Sequence, residues 1–331
     1  MVGVNLDSAL SKGRHQHQHG PLKHEIAGLI RVFKDGHVER PQMVPFVSSA
    51  LPPKLSLNLI STDISIDNST NIWARFYVPT NHCQNLLPLL VYFHGGGFCV
   101  GSPAWTCYHE FLAKLAAKSS CIIMSINYRL APENPLPAAY HDGIKALMWL
   151  KQKGSSQWWS TQCNFSNIFL GGDSAGGNIA YNILKMLGSK SNNELAARLY
   201  PLNVNGGVLI QPFFGGEERS NSEKYLVQSE KSALSLETSD TYWRLALPYG
   251  ASRDHPWCNP QMEESVEIPI MVCIAEMDIL RDRNMEFGNS LGKKRVVVHK
   301  GVGHGFQVLS KSQISHIRTL EMMSQINNFI N

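Results

Sequence analysis

The chain has 331 residues, 43% of them hydrophobic and 17% charged, the composition of a globular protein long enough to bury one large α/β core. Its formal net charge is +4, but the 30 lysines and arginines are scattered and form no long basic run, so a nucleic-acid partner is not expected. No apolar stretch approaches the length that crosses a bilayer, and the first twenty residues hold no apolar signal core.

Seven cysteines are an odd number and none are spaced as Cys-x-x-Cys, which argues for reduced thiols rather than a disulfide framework or a zinc site. The expected location is therefore cytoplasmic, with the nucleus also open to it. Cys121 and Cys273 lie in apolar strand patterns and read as small core residues.

Residues 1–20 read as a flexible polar tail that ends in His15-Gln16-His17-Gln18-His19-Gly20, and residues 21–331 as a single domain. The tail histidines are metal ligands in principle, but nothing near them in the sequence fixes a ligand geometry, so no metal or cofactor is expected. From Leu22 to Phe33 the apolar positions Ile26, Leu29, Ile30 and Phe33 predict a short amphipathic helix ended by Asp35-Gly36. Pro41, Pro45, Pro52 and Pro53 then predict an irregular stretch. Alternation over Ile60 to Ile66 and Trp73 to Val78 predicts a β-hairpin turning near Asp67-Asn68-Ser69.

The next apolar run, Leu86 to Phe93, is continuous rather than alternating, as in a strand covered on both faces, and it ends in His94-Gly95-Gly96-Gly97-Phe98. A helix over Tyr108 to Ala117, a buried strand over Ile122 to Ile126 and a helix over Ala138 to Lys151 follow. Then come the strand before Ser174, the helix after it and a strand at Val208 to Ile210. Residues 212–260 interrupt this alternation with a helical, aromatic-rich segment from Leu236 to Leu247. It resumes with strands at Ile270 to Ala275 and Arg295 to His299 and a last helix through Ile314 to Phe329. Alternation of this kind implies a parallel sheet with helices on both faces and reactive groups beyond the carboxyl ends of the strands.

Gly172-Asp173-Ser174-Ala175-Gly176, between a strand and a helix, has the context of a nucleophile elbow, in which small flanking residues let a strained turn close around the serine. Such a serine needs a base, an acid that orients the base, and oxyanion donors. Among thirteen histidines, His304 stands in a glycine-rich loop after the final strand, whereas His94 reads as a brace for the glycine loop and His299 as a structural strand residue. For the acid, Asp278 lies on the turn after a core strand, with Glu276 and Asp282 as alternatives; Asp173 is assigned a local structural role. The backbone N–H of Ala175 and those of the run Gly95-Gly96-Gly97 offer donors for an oxyanion, each such donor contributing about 3 kcal/mol. Phe98, Phe213, Phe214, Tyr242, Trp243 and Phe306 are candidates for the substrate pocket, though aromatic residues at helical spacing are as often plain core.

His94 to Ser102, Asn127-Tyr128-Arg129-Leu130-Ala131-Pro132-Glu133, Gly172 to Asn178 and the Asp278 and His304 loops together resemble the plant carboxylesterases of the hormone-sensitive-lipase group of α/β-hydrolases. The resemblance implies an α/β-hydrolase fold with a mostly parallel central sheet flanked by helices. It also implies a helical lid made from about residues 21–55 and 212–250. As activity it implies hydrolysis of small to medium carboxylic esters of plant metabolites through an acyl-enzyme on Ser174, with His304 shuttling protons, Asp278 completing a triad and Gly96, Gly97 and Ala175 holding the oxyanion; the partner expected is the small-molecule ester. The same family holds gibberellin receptors that lack the catalytic histidine, and members turned to dehydration or cyclisation. A non-catalytic hormone receptor and a lyase or cyclase are thus the alternatives, and the intact Ser174, Asp278 and His304 favour the esterase.

Overall fold

A computed structural model describes residues 19–51, 57–80, 85–188, 193–228, 232–260 and 266–331. The first elements are three short antiparallel strands, β1 (Leu22–Ile26), β2 (Ile30–Phe33) and β3 (Val38–Glu39), which form a sheet of their own. They correct the helix expected over Leu22 to Phe33. Gly28 sits between β1 and β2 at φ +73°, a left-handed value that a helix interior does not hold, and the Leu29 N–H closes the turn on the Ile26 carbonyl at 2.9 Å. Pairing of Ile26 with Ile30 and of His24 with Val32 buries Ile26, Ile30 and Val32. The apolar spacing that mimicked a helix face is two strands folded about one glycine. Residues 1–18 of the expected tail lie outside the described residues.

The predicted hairpin is present as β4 (Leu59–Asp67) and β5 (Ile72–Pro79), and Asp67 caps its turn by accepting from Ser69 and Thr70. Next come β6 (Leu87–Phe93), α1 (Thr106–Ser119), β7 (Ile122–Asn127), α2 (Ala138–Lys153) and β8 (Cys163–Asp173). They are followed by α3 (Ala175–Gly188), α4 (Asn193–Leu199) and β9 (Val204–Ile210). The interruption after β9 contains α5 (Asn221–Tyr225) and α6 (Leu236–Ala246). The chain then returns to the sheet with β10 (Ile270–Ala275), α7 (Arg281–Ser290) and β11 (Lys294–His299), and ends with α8 (Phe306–Leu309) and α9 (Gln313–Ile330). The sequence reading missed the short helices α4, α5 and α8, which lack a sustained apolar period, whereas α7 carries Asp282 in its first turn, where an acidic residue signals a helix start.

Eight strands form one sheet in the order β11-β10-β9-β8-β6-β7-β5-β4. Every pair from β11 to β7 is parallel, and the pairs β7–β5 and β5–β4 are antiparallel, so β5 alone runs against the other seven strands. The alternation of side chains along β6 explains its unbroken apolar run. Leu89, Val91 and Phe93 enter the core shared with α2 and α3, while Leu90 and Tyr92 enter the core shared with α1 and α9. Both faces are covered, so each position on β6 that loses its side chain opens a cavity, at about 2–5 kcal/mol for a leucine cut to alanine.

The register sets the position of the site. Phe93 lies level with Gly172, Asp173 with Ile210, and Ile210 with Cys273. Strands β6, β8, β9 and β10 therefore end at one edge, and the loops that follow them meet there.

Candidate active site

Ser174 stands between β8 and α3 at φ +50°, in the left-handed region that costs a residue with a β-carbon about 1–2 kcal/mol. Its N–H is held by the Ile210 carbonyl at 2.9 Å, and its carbonyl accepts from Asn178 and Phe213. The flanking glycines are required by close approach. A Cβ on Gly172 would lie 2.4 Å from the backbone of Gly176, and one on Gly176 would lie 1.9 Å from the Phe93 carbonyl oxygen. Nothing larger lets helix α3 start directly over the end of β6.

Beyond β10 and β11, the structure brings the predicted base and acid to this serine. His304 Nε2 lies 2.9 Å from Ser174 Oγ, and His304 Nδ1 lies 2.7 Å from Asp278 Oδ2. The other Asp278 oxygen accepts the Leu280 N–H at 3.0 Å. A carboxylate only accepts, so Nδ1 carries the imidazole proton and Nε2 turns a lone pair toward Ser174. Burial opposes charge on His304, but the Asp278 carboxylate outweighs it, with a smaller contribution from Asp173, and the pKa is raised above the ordinary imidazole value. The two alternative acids have other partners: Glu276 accepts the Gly301 N–H at 2.9 Å, and Asp282, in the first turn of α7, accepts the Ser222 N–H at 2.6 Å.

The glycine loop after β6 forms the facing wall. Gly96 and Gly97 have φ of +110° and +58°, and the Gly96 carbonyl accepts the N–H groups of Cys99 and Val100. Among the described residues, the N–H groups of Gly96, Gly97 and Ala175 donate no hydrogen bond to the protein, which leaves three donors free beside Ser174.

Asp173 supplies the brace. Its buried carboxylate accepts from Tyr92 Oη at 2.8 Å, Tyr108 Oη at 2.9 Å and Gly95 N–H at 3.1 Å, tying the serine's own strand to the glycine loop. Burial nevertheless pushes the Asp173 carboxyl up from its ordinary value. His94 stacks on Tyr128 with ring centroids 4.3 Å apart, bonds the Gly95 carbonyl through Nδ1, and is held neutral by burial, its pKa lowered to about 4. His299 lies buried in β11 against Phe306, as a strand residue should.

Of the predicted pocket residues, the structure gathers four. Trp243 stacks on Phe213 at 4.6 Å and packs against Phe98 at 5.5 Å, and the Tyr242 ring covers Gly97 so closely that a Cβ there would sit 2.1 Å from it. Phe214 is placed elsewhere, between Tyr181 and Phe287, and Phe306 packs on His299 in the core beneath the sheet. A cleft of about 290 Å³ opens where the glycine loop ends, lined by Val100 and Gly101 with Met43, Trp73, Ser102, Trp105 and Asn127, and none of the six aromatic candidates lines it.

Two residues that the sequence reading did not single out, Gln211 and Arg40, also hold this site, together with Glu276, which it weighed only as an alternative acid. Gln211, buried at φ +47°, accepts the Gly305 N–H at 2.6 Å and so fixes the residue after His304 to the end of β9. Glu276 fixes the start of the same loop. Arg40 donates to the carbonyls of Cys99 and Ala131 at 2.7 and 2.9 Å and pairs with Glu133, fastening the N-terminal segment to the end of the glycine loop. A polar residue between a core strand and Pro212 was a legible signal for Gln211; the reach of Arg40 across the fold was not.

The α/β hydrolase fold family model matches residues 90–308, a span that includes every one of these loops. Probable carboxylesterase 6 of Arabidopsis thaliana is 52% identical over 320 residues, covering 94% of this chain and 92% of that protein. A gibberellin receptor of the same plant is 32% identical, with 82% of this chain and 81% of the receptor covered. Among solved structures, an esterase of Pyrobaculum calidifontis superposes with a TM-score of 0.67 at 25% identity, covering 82% of this chain and 85% of the esterase. By its family match, its sheet and its half-identical relative, this chain belongs to the α/β-hydrolase fold family, alongside the plant carboxylesterases.

Proposed function

We propose that the protein is a serine carboxylesterase that hydrolyses small to medium carboxylic esters, such as those of plant metabolites, through an acyl-enzyme. The observation that carries this reading is the chain of contacts from Ser174 Oγ to His304 Nε2 at 2.9 Å and from His304 Nδ1 to Asp278 at 2.7 Å. In the first half-reaction His304 takes the Ser174 proton as Oγ attacks the ester carbonyl, and the N–H groups of Gly96, Gly97 and Ala175 receive the charge that forms on its oxygen. His304 then gives the proton to the departing alkoxide. In the second half-reaction His304 deprotonates a water that attacks the acyl-Ser174, and the acid leaves as Ser174 regains its proton. Asp278 holds the imidazole in the tautomer this requires.

Residues of about 21–55 and 212–250 act as the lid. The packing of β1 on α6, with Tyr242 lying over Gly97 and Arg40 fastened to the Cys99 carbonyl, supports this assignment. A cytoplasmic location is supported by the six free cysteines among the described residues, five of them buried. The receptor reading leaves the complete Ser174, His304 and Asp278 arrangement without a use, and the lyase or cyclase reading, which needs proton transfer alone, leaves Ser174 as a nucleophile without one. Hydrolysis of a short-chain p-nitrophenyl ester by the purified protein beside Ser174→Ala tests the reading. Turnover by the wild type that drops at least 10⁴-fold in the variant is expected, on the order of what triad loss costs elsewhere. Silence from a folded wild type, or equal turnover by Ser174→Ala, would overturn it.

A further inference from the structure

Among the described residues, one group of three side chains with metal-ligating atoms comes together, and it lies outside the candidate active site: His19, His37 and Glu39. Each offers one nitrogen or oxygen, and the three atoms lie within 4.8 Å of one another. Their convergence has a structural cause. His37 and Glu39 are alternate residues entering and ending β3, so their side chains leave the same face of the small sheet. His19 arrives just before β1, on the opposite edge of that sheet but at the same end, and lays its ring on His37, with centroids 3.5 Å apart and planes 6° from parallel, beside Phe33.

Asp35 fixes both approaches. It accepts the His37 N–H at 3.0 Å and the Gly20 N–H at 3.4 Å, and its carboxylate lies 3.4 Å from His19 Nδ1. The contacts within the group are loose by comparison. His37 Nε2 is 3.8 Å from Glu39, and Arg31, which also faces Glu39 at 3.8 Å, has its close partner in Glu25 at 2.8 Å. All three side chains are partly exposed, so they reach a hydrated ion without first desolvating a charge.

We propose that His19, His37 and Glu39 form a binding site for a divalent transition metal of the zinc class. Two imidazoles and one carboxylate are a borderline-soft set suited to zinc, nickel or copper rather than to magnesium or calcium. Around a tetrahedral zinc with bonds of about 2.0–2.2 Å, ligand atoms stand about 3.4 Å apart. The three ligand atoms lie within 4.8 Å of one another, and side-chain rotations that open the parallel stack of His19 and His37 and swing Glu39 inward bring them to that spacing around one ion. The fourth position is left to water or Asp35. The sequence by itself offered nothing to fix a geometry around the tail histidines; the fold supplies it from β3. The bound ion would pin the segment before β1 to the β2–β3 hairpin, in the sheet that packs on α6.

The test is zinc binding by the full-length chain in competition with a chromogenic chelator, repeated on His37→Ala, on Glu39→Gln and on the tail double variant His15→Ala with His17→Ala. The expected result is one zinc per chain with a Kd in the range of about 0.1–10 µM, weakened at least about 10-fold by His37→Ala and by Glu39→Gln, and within about threefold of wild type in the tail variant. Cobalt(II) placed in the wild type should give visible absorption bands that are lost in His37→Ala. Far-ultraviolet circular dichroism and the Tm of both single variants without zinc should match the wild type, which confirms that they are folded. Zinc affinity that stays within threefold in His37→Ala and Glu39→Gln, or no wild-type binding tighter than about 100 µM, would overturn the site.

Discussion

Asp278→Asn isolates the part of the proposed mechanism that depends on a single proton. Asp278 is 1% exposed and divides its oxygens between two donors, Leu280 N–H at 3.0 Å and His304 Nδ1 at 2.7 Å. An asparagine has one accepting oxygen. If it stays on Leu280, the amide NH2 faces His304, the imidazole must accept there, and its proton moves to Nε2, where it donates to Ser174 instead of taking from it. The base is lost without any change in shape. A tautomer error of this kind is worth about 10⁴ in kcat, or about 5.5 kcal/mol of transition-state stabilisation, whereas the fold loses only about 1–2 kcal/mol from one exchanged hydrogen bond. The measurement is kcat for a p-nitrophenyl ester together with Tm. A variant with nearly wild-type Tm and kcat reduced by three to four decades is predicted. A folded variant that keeps kcat within tenfold of wild type would show that Asp278 does not set the His304 tautomer.

Other outcomes follow from the same geometry. Gly97→Ala places a methyl 2.1 Å from the Tyr242 ring at a φ of +58°, so kcat/KM should fall at least about 100-fold as the oxyanion donor moves, and Tyr242→Ala added to it should restore part of the stability but not the rate. Gln211→Leu leaves the Gly305 N–H without its acceptor beside His304; a loss of about 1–3 kcal/mol in chemical denaturation and a fall of about tenfold or more in kcat are expected. A pH–rate profile should show an acid limb set by His304 above the ordinary imidazole value, because turnover needs the neutral ring and Asp278 raises its pKa. The stability linked to that shift has the opposite sense: it is fully present below the ordinary value and is lost as pH rises through the raised one. His94 and His299, both lowered to about 4 by burial, act the other way, so the fold should weaken between about pH 6.5 and 4 as the unfolded chain takes up protons that these rings refuse.

The parallel sheet was legible because its strands are long apolar runs punctuated by glycine, and β6 to β11 fall where those runs lie. The site was legible for a related reason: Gly172, Gly176 and Gly97 are demanded by contacts of 1.9–2.4 Å, so the backbone geometry is written into residue types that a reader can see. The small β1–β2 hairpin was not, because Ile26, Leu29, Ile30 and Phe33 satisfy a helical period and a hairpin equally well, and only Gly28 separates them. Long-range brackets were illegible in principle. Tyr92 and Tyr108 on Asp173, Arg40 on the Cys99 carbonyl and His37 against His19 join residues that are close only after the chain has folded. The aromatic pocket candidates lie between these cases. Phe213, Tyr242 and Trp243 gather beside the glycine loop, while Phe214, one residue along, is turned by the chain's alternation into the packing of α7.

The central claim is that Ser174 becomes covalently acylated during turnover. Intact-protein and peptide mass spectrometry after exposure to a serine-directed organophosphonate measures this directly, with Ser174→Ala treated in parallel. The account predicts one adduct per chain, mapped to the peptide that contains Ser174, abolition of ester turnover in step with labelling, and no adduct on the variant. Turnover that survives complete labelling of Ser174, or a label that maps to another residue and persists in Ser174→Ala, would contradict it.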